Sequence, residues 1–118
     1  MTDLARTGAL ADLPPDEPHP GVTRRTFDAA GATVAVYDFQ SGARFPLHRH
    51  AQEQITLVDA GTVTMSLGAE RRELAAGDWS IVAGDVEHGI VAGPAGARIT
   101  AIIVPRRAGA DAYEVVGR

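Results

Sequence analysis

The sequence predicts an all-β fold, a sandwich or barrel built as a single domain. Short runs rich in Val, Ile, Thr and aromatic residues alternate apolar with polar positions, which is the pattern of half-buried strands. Glycines separate these runs. The separating glycines Gly61, Gly68, Gly77, Gly84 and Gly93 recur at intervals of 7, 9, 7 and 9 residues, which leaves no room between them for a helix of ordinary length. A chain of 118 residues is long enough to bury one hydrophobic core.

Ten runs are predicted to be strands, each bounded by turn residues. In chain order they are Val22 to Phe27, Ala32 to Phe39, Phe45 to His50, Gln54 to Val58, Thr62 to Leu67, Glu70 to Leu74, Trp79 to Val82, His88 to Val91, Arg98 to Val104 and Ala112 to Val116. The side chains expected to pack in the core are Phe45, Met65, Trp79 and Ile81. The run that starts at Arg98 leaves two registers open, because its inward residues are either Ile99, Ala101 and Ile103 or Ile102 and Val104.

The first 21 residues differ from the rest of the chain. Pro14, Pro15, Pro18 and Pro20 are four of its seven prolines. Such a stretch favours extended backbone and cannot supply ladder hydrogen bonds at those positions. We predict that residues 1–21 form an arm, mobile or laid along another subunit, with room for a short helix before Pro14. Residues 22–118 then form the β-domain.

The composition excludes several classes of site. The absence of cysteine excludes disulfide scaffolds, thiolate zinc sites and cysteine nucleophiles, and the absence of lysine excludes Schiff-base chemistry. Eleven arginines against 15 acidic residues give a formal charge of -4, which argues against a nucleic-acid or anionic-membrane partner. No signal peptide or membrane-spanning run is predicted, so we expect a soluble cytoplasmic protein.

Three of the four histidines are spaced for metal binding. His48 and His50 are two residues apart in a predicted strand, so their imidazoles project from the same face. Gln54 opens the next run, and His88 opens a later one. Neighbouring strands of a curled sheet can bring these four side chains together, and three imidazoles with one oxygen donor suit a first-row divalent metal. His19, in the arm, is expected to be an ordinary surface or hydrogen-bonded residue.

Two motifs in register resemble those of the cupin superfamily. The first reads Gly42-(x5)-His48-x-His50-(x3)-Gln54-(x6)-Gly61, with every spacing kept and Gln where the family usually has Glu. After 15 residues the second reads Gly77-(x5)-Ala83-x-Asp85-(x2)-His88. In it, Ala83 and Asp85 replace the usual Pro and Gly, and Ala92 stands where an Asn is expected. The resemblance spans about residues 32 to 104 and indicates a small single-domain cupin.

The resemblance implies a jelly-roll barrel, the cupin-type double-stranded β-helix, with one metal ion held near one end. It implies His48, His50, Gln54 and His88 as the ligands of a divalent Fe, Zn, Ni, Mn or Cu ion. Glu53 is the alternative to Gln54, but strand alternation points Glu53 outward if Gln54 points inward, unless a bulge reverses them. Without a carboxylate ligand the site keeps its positive charge, which favours an anionic or oxygen-chelating substrate. Because the imidazoles must be neutral, metal affinity is expected to fall below about pH 6.

Several side chains are candidates for moving protons or holding the substrate. Candidates for proton transfer are Glu87, Tyr37, Asp38 and a metal-bound hydroxide, and Arg44 is a candidate for holding a substrate carboxylate. Alternation gives Asp38 or its aromatic neighbours the inward positions, and inward aromatics are favoured because an unpaired buried carboxylate is costly. Cupins that act on uronate sugars carry an acid on the strand after the second motif, whereas the run from Arg98 contains none.

The resemblance therefore implies a metal-dependent enzyme that acts on a small oxygen-rich, anionic metabolite by lyase, isomerase, cyclase or dioxygenase chemistry. The alternative is a non-catalytic module that binds a metal or a small ligand for sensing or storage. Small cupins resemble one another in being dimers, and open strand edges favour pairing, so we expect a homodimer.

Overall fold

The computed structural model describes residues 5–107 and 113–116, and it is almost entirely β-structure. In chain order the elements are a 3₁₀ helix at Leu10–Asp12 and strands β1 Asp16–His19, β2 Val22–Asp28, β3 Thr33–Phe39, β4 Arg44–Arg49, β5 Glu53–Leu67, β6 Glu70–Ala75, β7 Trp79–Val82, β8 His88–Val104 and β9 Glu114–Val115. The predicted all-β class is confirmed. In the described part of the chain, no helix has the length and apolar character needed to cross a membrane.

Two long strands replace four of the predicted short ones. The runs on either side of Gly61 join into β5, and those on either side of Gly93 join into β8. Both strands bend at glycines with positive φ, Gly61 at 74° and Gly96 at 75°. A side chain at Gly61 would collide with the carbonyl oxygen of Gly96, so the two bends lie against each other. The predicted turns are therefore bends in strands that keep pairing.

The bends divide one continuous sheet into two halves. The half we call sheet I contains β1, β2, β3, residues 97–104 of β8, residues 53–58 of β5, and β7. The other half, sheet II, contains β9, β4, residues 88–92 of β8, residues 62–67 of β5, and β6. Tyr37 of sheet I meets Phe45 of sheet II edge-on at 5.8 Å between ring centroids, so the inner faces pack across a barrel lumen.

The core lies between the two sheets. It is a cluster of Val22, Ala35, Tyr37, Phe39, Phe45, Val58, Val63, Met65, Ile90, Ala92, Ile99 and Ala101. Ile103 is also fully buried, which settles the register of β8 in favour of its odd-numbered residues. Phe45 and Met65 are buried as predicted.

The prediction that Trp79 and Ile81 pack in the core is wrong, because they are 63% and 54% exposed. Directly opposite residues of paired strands share a face of the sheet. Register places Val82 opposite the inward-facing Gln54, so Val82 and Ser80 take the inner face of β7. Trp79 and Ile81 must then point outward.

Part of the predicted arm belongs to the sheet. Residues 16–19 form β1, which pairs with β2 of the same chain, and Asp16 binds the buried Arg24 at 2.6 Å. A mobile or swapped role for the segment before β1 stays a prediction, and residues 1–4 lie outside the described residues. At the other end, β9 pairs with β4 at His48 and Arg49. Ala112, the start of the last predicted run, also lies outside the described residues.

Candidate metal centre

The histidines and the glutamine lie where the ends of the two sheets meet. His48 in β4 is paired directly opposite His88, the first residue of β8, and both belong to sheet II. Gln54 is the second residue of β5 in sheet I. His50 lies between them, one residue beyond β4. All four side chains are buried, with at most 6% of their surface exposed.

Two local irregularities place the imidazoles. Phe45 and His48 are three positions apart, so simple alternation would place them on opposite faces, yet both are buried because the β4–β8 register shifts between them. The turn before His88 has Asp85 at φ 66°, and the Asp85 N–H donates to the His50 carbonyl oxygen at 2.8 Å. The segments that carry His50 and His88 are thus fastened to each other.

The backbone fixes the tautomer of every imidazole. Each Nδ1 lies at hydrogen-bond distance from a carbonyl oxygen two residues away: His48 from Pro46 at 2.8 Å, His50 from Gln52 at 3.0 Å, and His88 from Val86 at 2.9 Å. A carbonyl oxygen only accepts, so each Nδ1 carries the proton. Each Nε2 is then left with a lone pair, which is the form that binds a metal.

The amide of Gln54 completes a cluster of acceptors. Its Nε2 donates to the Thr56 hydroxyl at 3.0 Å, which turns Oε1 towards the imidazoles. Oε1 lies 3.0 Å from His50 Nε2 and 3.4 Å from His88 Nε2. With every Nδ1 protonated, these contacts bring lone pairs together without a proton between them. A cation satisfies such a cluster, and the ligand atoms of the three histidines lie within 4.8 Å of one another.

Burial keeps two of the imidazoles neutral. Loss of hydration, with a smaller contribution from the neighbouring His88, lowers the pKa of His48 to about 3. Burial also lowers the pKa of His88 to about 4, with His50 contributing. Both side chains are therefore neutral imidazoles at neutral pH, and the Nε2 lone pair of each is available to a metal ion.

The structure separates the other predicted site residues. Tyr37 lines the lumen cavity. Asp38 points away from it and receives two hydrogen bonds from Arg98, at 2.8 and 3.0 Å. Glu87 lies 3.8 Å from Arg49 with 39% of its side chain exposed. Arg44 is exposed as well. Of these four candidates, only Tyr37 lines the cavity beside the histidines.

Alternation places the two candidates for the fourth ligand as expected. Gln54 is 6% exposed and contacts two imidazoles, whereas Glu53 is exposed on the outer face of β5.

Three residues lie near the site although the sequence did not predict them there: Arg107, Tyr113 and His19. Arg107 lines the cavity together with His48 and Gln54. The ring of Tyr113 packs on Phe45 and His48, with centroids 5.3 and 5.2 Å apart, and its hydroxyl lies 3.2 Å from His19 Nε2. The pair Arg106-Arg107 is visible in the sequence, but no periodicity shows that the chain turns back to the barrel mouth after β8.

The cavity itself has apolar walls. Phe39, Phe45, Ile90 and Ile99 line it, and His48, Gln54, Tyr37 and Arg107 are its polar groups. It holds about 290 Å³ of empty space counted to its open mouth. It is narrow, and the arrangement seen here admits little more than one water molecule.

Solved structures share this fold. An RmlC-like cupin from Shewanella frigidimarina NCIMB 400 is 22% identical, with a TM-score of 0.78 over 91% of this chain and 95% of its own. KdgF from a Halomonas species is 25% identical, with a TM-score of 0.77 over 86% of this chain and 97% of its own. The polyketide cyclase RemF from Streptomyces resistomycificus is 19% identical, with a TM-score of 0.79 over 98% of this chain and 87% of its own.

Sequence families give the assignment. No curated protein matches this sequence. Residues 35–103 match the cupin domain family, and they include both motifs and all four predicted ligands. Since this match covers more than half of the 118 residues, the chain belongs to the cupin domain family.

Proposed function

We propose that this protein is a metal-dependent enzyme that acts on a small, oxygen-rich, anionic metabolite. One divalent transition-metal ion, of Fe, Zn, Ni, Mn or Cu, is held by His48, His50, Gln54 and His88. The observation that carries the proposal is the convergence of buried acceptor atoms on one point, with the protons of all three imidazoles directed to backbone carbonyls. A bound divalent ion would polarise substrate oxygens and lower the pKa of bound water.

The side chains around the ligands have separate roles in this proposal. The apolar walls of the cavity exclude bulk water and so strengthen electrostatic interactions inside it. The Tyr37 phenol lines the same cavity and is the group placed to hold or transfer a proton. Thr56 holds the Gln54 amide in its orientation through the hydrogen bond to Nε2.

Several features support the reaction class. The ligand set contains no carboxylate, so a bound divalent ion keeps its charge and attracts an anionic, oxygen-rich substrate. A neighbour of the same fold, RemF, is a polyketide cyclase, and cyclase chemistry is one of the predicted classes beside lyase, isomerase and dioxygenase.

The second candidate function is a non-catalytic module that binds a metal or a small ligand. The observation that favours it is the position of the acids, because Asp38 and Glu87 point away from the lumen and pair with arginines. In the described ranges, the cavity lining offers no titratable proton-transfer group other than Tyr37 and His48, a proposed ligand.

Metal analysis and turnover test the two candidates. Protein purified without a metal-affinity tag is expected to carry about one transition-metal ion per chain by mass spectrometry. The protein loaded with each metal is then incubated with a panel of small hydroxy-, keto- and dicarboxylates, and products are followed by NMR. Tyr37→Phe, which removes only the hydroxyl, is expected to lower turnover while metal content stays constant. Metal binding without turnover of any compound favours the binding module. A protein without bound metal contradicts both the enzyme and a metal-binding module, and leaves only a module that binds a small ligand.

We also propose that the protein is a homodimer and that its interface includes an outer apolar face, which we define as Ile55, Leu57, Trp79 and Ile81. Register pairs Ile55 with Ile81 and Leu57 with Trp79 across β5 and β7. Leu57, Trp79 and Ile81 are all exposed in the single chain. Exposed contiguous apolar surface favours association, and a two-fold axis would pack the face against its own copy.

Sedimentation tests the dimer. Trp79→Glu places charge in the proposed interface and is expected to give a monomer with unchanged metal content. The matched variant Glu70→Gln changes an exposed residue of β6 and is expected to stay dimeric. A wild-type protein that is monomeric at high concentration removes the proposal.

A further inference from the structure

Arg107 is a buried cation at the barrel mouth. It follows β8, and its backbone N–H donates to the Thr33 hydroxyl at 3.0 Å, which holds the segment against the start of β3. Only 6% of the residue is exposed, and its side chain lines the cavity with His48, Gln54 and Tyr37. The guanidinium therefore lies beside the candidate metal centre and away from bulk solvent.

Among the residues that the structure describes, the guanidinium has no acidic partner of its own. Its Nε and Nη2 are buried, and neither has a hydrogen-bond partner among the residues described. The Arg107 charge makes a small contribution to lowering the pKa of Asp16, but the Asp16 carboxylate accepts hydrogen bonds of 2.6 and 3.0 Å from Arg24. Buried charges are ordinarily paired, because removing one from water without compensation is costly. Within residues 5–107 and 113–116, the cation at the cavity is therefore left without a counter-charge of its own.

The surroundings indicate what would pair with it. The ligand set next to it is three imidazoles and an amide, which carry no negative charge, so a bound metal ion would add to the positive potential. A guanidinium presents its N–H groups as a planar fork that matches the two oxygens of a carboxylate. As described, the cavity admits little more than one water molecule, so a ligand must be small and must enter at the open mouth, where the cavity has to widen to admit it.

We propose that Arg107 is a substrate-binding residue that pairs with a carboxylate of a small organic acid in the lumen. This inference rests on the proposed function, because it identifies the substrate class of the same site as a small carboxylate. Arg107 holds the carboxylate through two N–H···O bonds, while the remaining oxygens of the acid face the four proposed ligands. Arg44, the arginine that the sequence offered for this role, is exposed on β4.

Acetate binding to the metal-free protein tests the proposal separately from metal chemistry. The dissociation constant is obtained from the rise in melting temperature with acetate, measured against chloride at equal ionic strength and pH. Arg107→Met is expected to weaken acetate binding at least about tenfold, because it removes the charge and the fork. Arg107→Lys keeps the charge but not the planar fork, and its acetate affinity is expected to lie between that of Arg107→Met and that of wild type. Arg106→Met changes the exposed neighbour and is expected to behave like wild type.

Stability and metal affinity distinguish binding from a structural role. Without acetate, Arg107→Met is expected to melt at the same temperature as wild type or higher, because it removes an unpaired buried charge. Its zinc affinity, measured by calorimetry, is expected to be equal or higher, because a neighbouring cation is gone. Acetate affinity within twofold of wild type, or an Arg107→Met protein that is less stable and is rescued by Lys, overturns the proposal. Failure of wild type to bind zinc counts against the proposed function and leaves the acetate result to decide on Arg107.

Discussion

The two halves of β5 have opposite patterns. In residues 62–67, the apolar Val63 and Met65 face the lumen and are 2% and 0% exposed, while the residues that alternate with them are polar, namely Thr62, Thr64 and Ser66. In residues 53–58, the polar Gln54 and Thr56 face the lumen, at 6% and 0% exposed, while Leu57 is 39% exposed outside. The usual pattern of apolar residues inside and polar residues outside therefore holds for β5 in sheet II and is partly reversed in sheet I.

The difference shows two demands on one strand. Burying Gln54 and Thr56 costs free energy unless their polar atoms are satisfied. They satisfy each other through one hydrogen bond, and the remaining amide oxygen is directed to the imidazoles. The outer side of the same half carries the apolar Ile55 and Leu57, which belong to the proposed dimer face. The second half of β5 carries neither a proposed ligand nor the proposed interface, and it follows the usual inside-apolar rule.

The largest effect on stability is expected from a change of pH. It acts on the histidines at the polar end of the lumen and leaves the apolar end unaffected. Folding lowers the pKa of His48 and His88 from 6.5 to about 3 and about 4. Between pH 6.5 and 4 the unfolded chain therefore binds protons that the folded chain excludes, so stability falls as pH falls. For two such groups the loss from pH 7 to pH 5 is up to about 4 kcal/mol in the metal-free protein. Urea unfolding at both pH values measures it, and equal stability contradicts the lowered pKa values.

The same shifts revise the pH expected for metal release. Unperturbed imidazoles place proton competition near pH 6, as the sequence alone predicts. In the folded protein, protons compete for His48 and His88 only near pH 3 to 4, because burial opposes their charged forms.

Removal of an inner ligand is expected to have the next largest effect. His88 is 1% exposed and lies beside both His48 and Gln54. His88→Ala is expected to weaken zinc binding by more than about 100-fold, since the four proposed ligands supply on average roughly 3 kcal/mol each and imidazoles supply the larger share. Competition with a chelator measures the change. His19→Ala, the remaining histidine, serves as the control and is expected to keep full metal content.

A pair of adjacent variants tests the inversion of β5 directly. Gln54→Ala removes an inward oxygen, and we expect zinc affinity to fall roughly 10- to 100-fold, less than for an imidazole because a neutral amide oxygen is a weaker ligand for zinc. Glu53→Ala removes an outward carboxylate and is expected to change affinity less than about twofold. The reverse order of effects would make Glu53 the ligand and require a different register.

The smallest effect is expected on the outer face. Trp79→Ala is expected to cost less than about 1 kcal/mol of monomer stability, because most of the side chain already contacts solvent. Val82→Ala, on the inner face of the same strand, is expected to cost at least about 1.5 kcal/mol for the apolar group it removes from the core. Chemical denaturation at low protein concentration measures both. A larger loss from Trp79 would mean that this face packs within the chain.

The sequence predicted well wherever period-two alternation was the only influence. It placed Tyr37 and Phe39 inside and Asp38 outside, and it separated Gln54 from Glu53. The histidine spacing led to the correct family. These predictions succeeded because neighbouring side chains of a strand take opposite faces in any fold.

Alternation failed where pairing with another strand decided the face. The apolar Trp79 and Ile81 favoured an inward reading of β7, but register with Gln54 gives the inner face to Ser80 and Val82. The sequence suggested turns at the bends of β5 and β8 because glycines with positive φ, such as Gly61 and Gly96, occur both in turns and in strand bends. Arg107 follows a proline after the last long strand, and no local pattern specifies where such a segment returns.

The bend in the β5–β8 ladder has a consequence for how the barrel opens. The ladder runs from Glu53 opposite Val104 to Leu67 opposite His88, and unbent it would span roughly 45 Å. Folded at its middle, it brings Gln54 within 3.4 Å of His88. An ion bound by both Gln54 and His88 would hold the two ends of the β5–β8 ladder together. Amide hydrogen exchange in the two sheets would then become a single cooperative event with the ion and two separate openings without it.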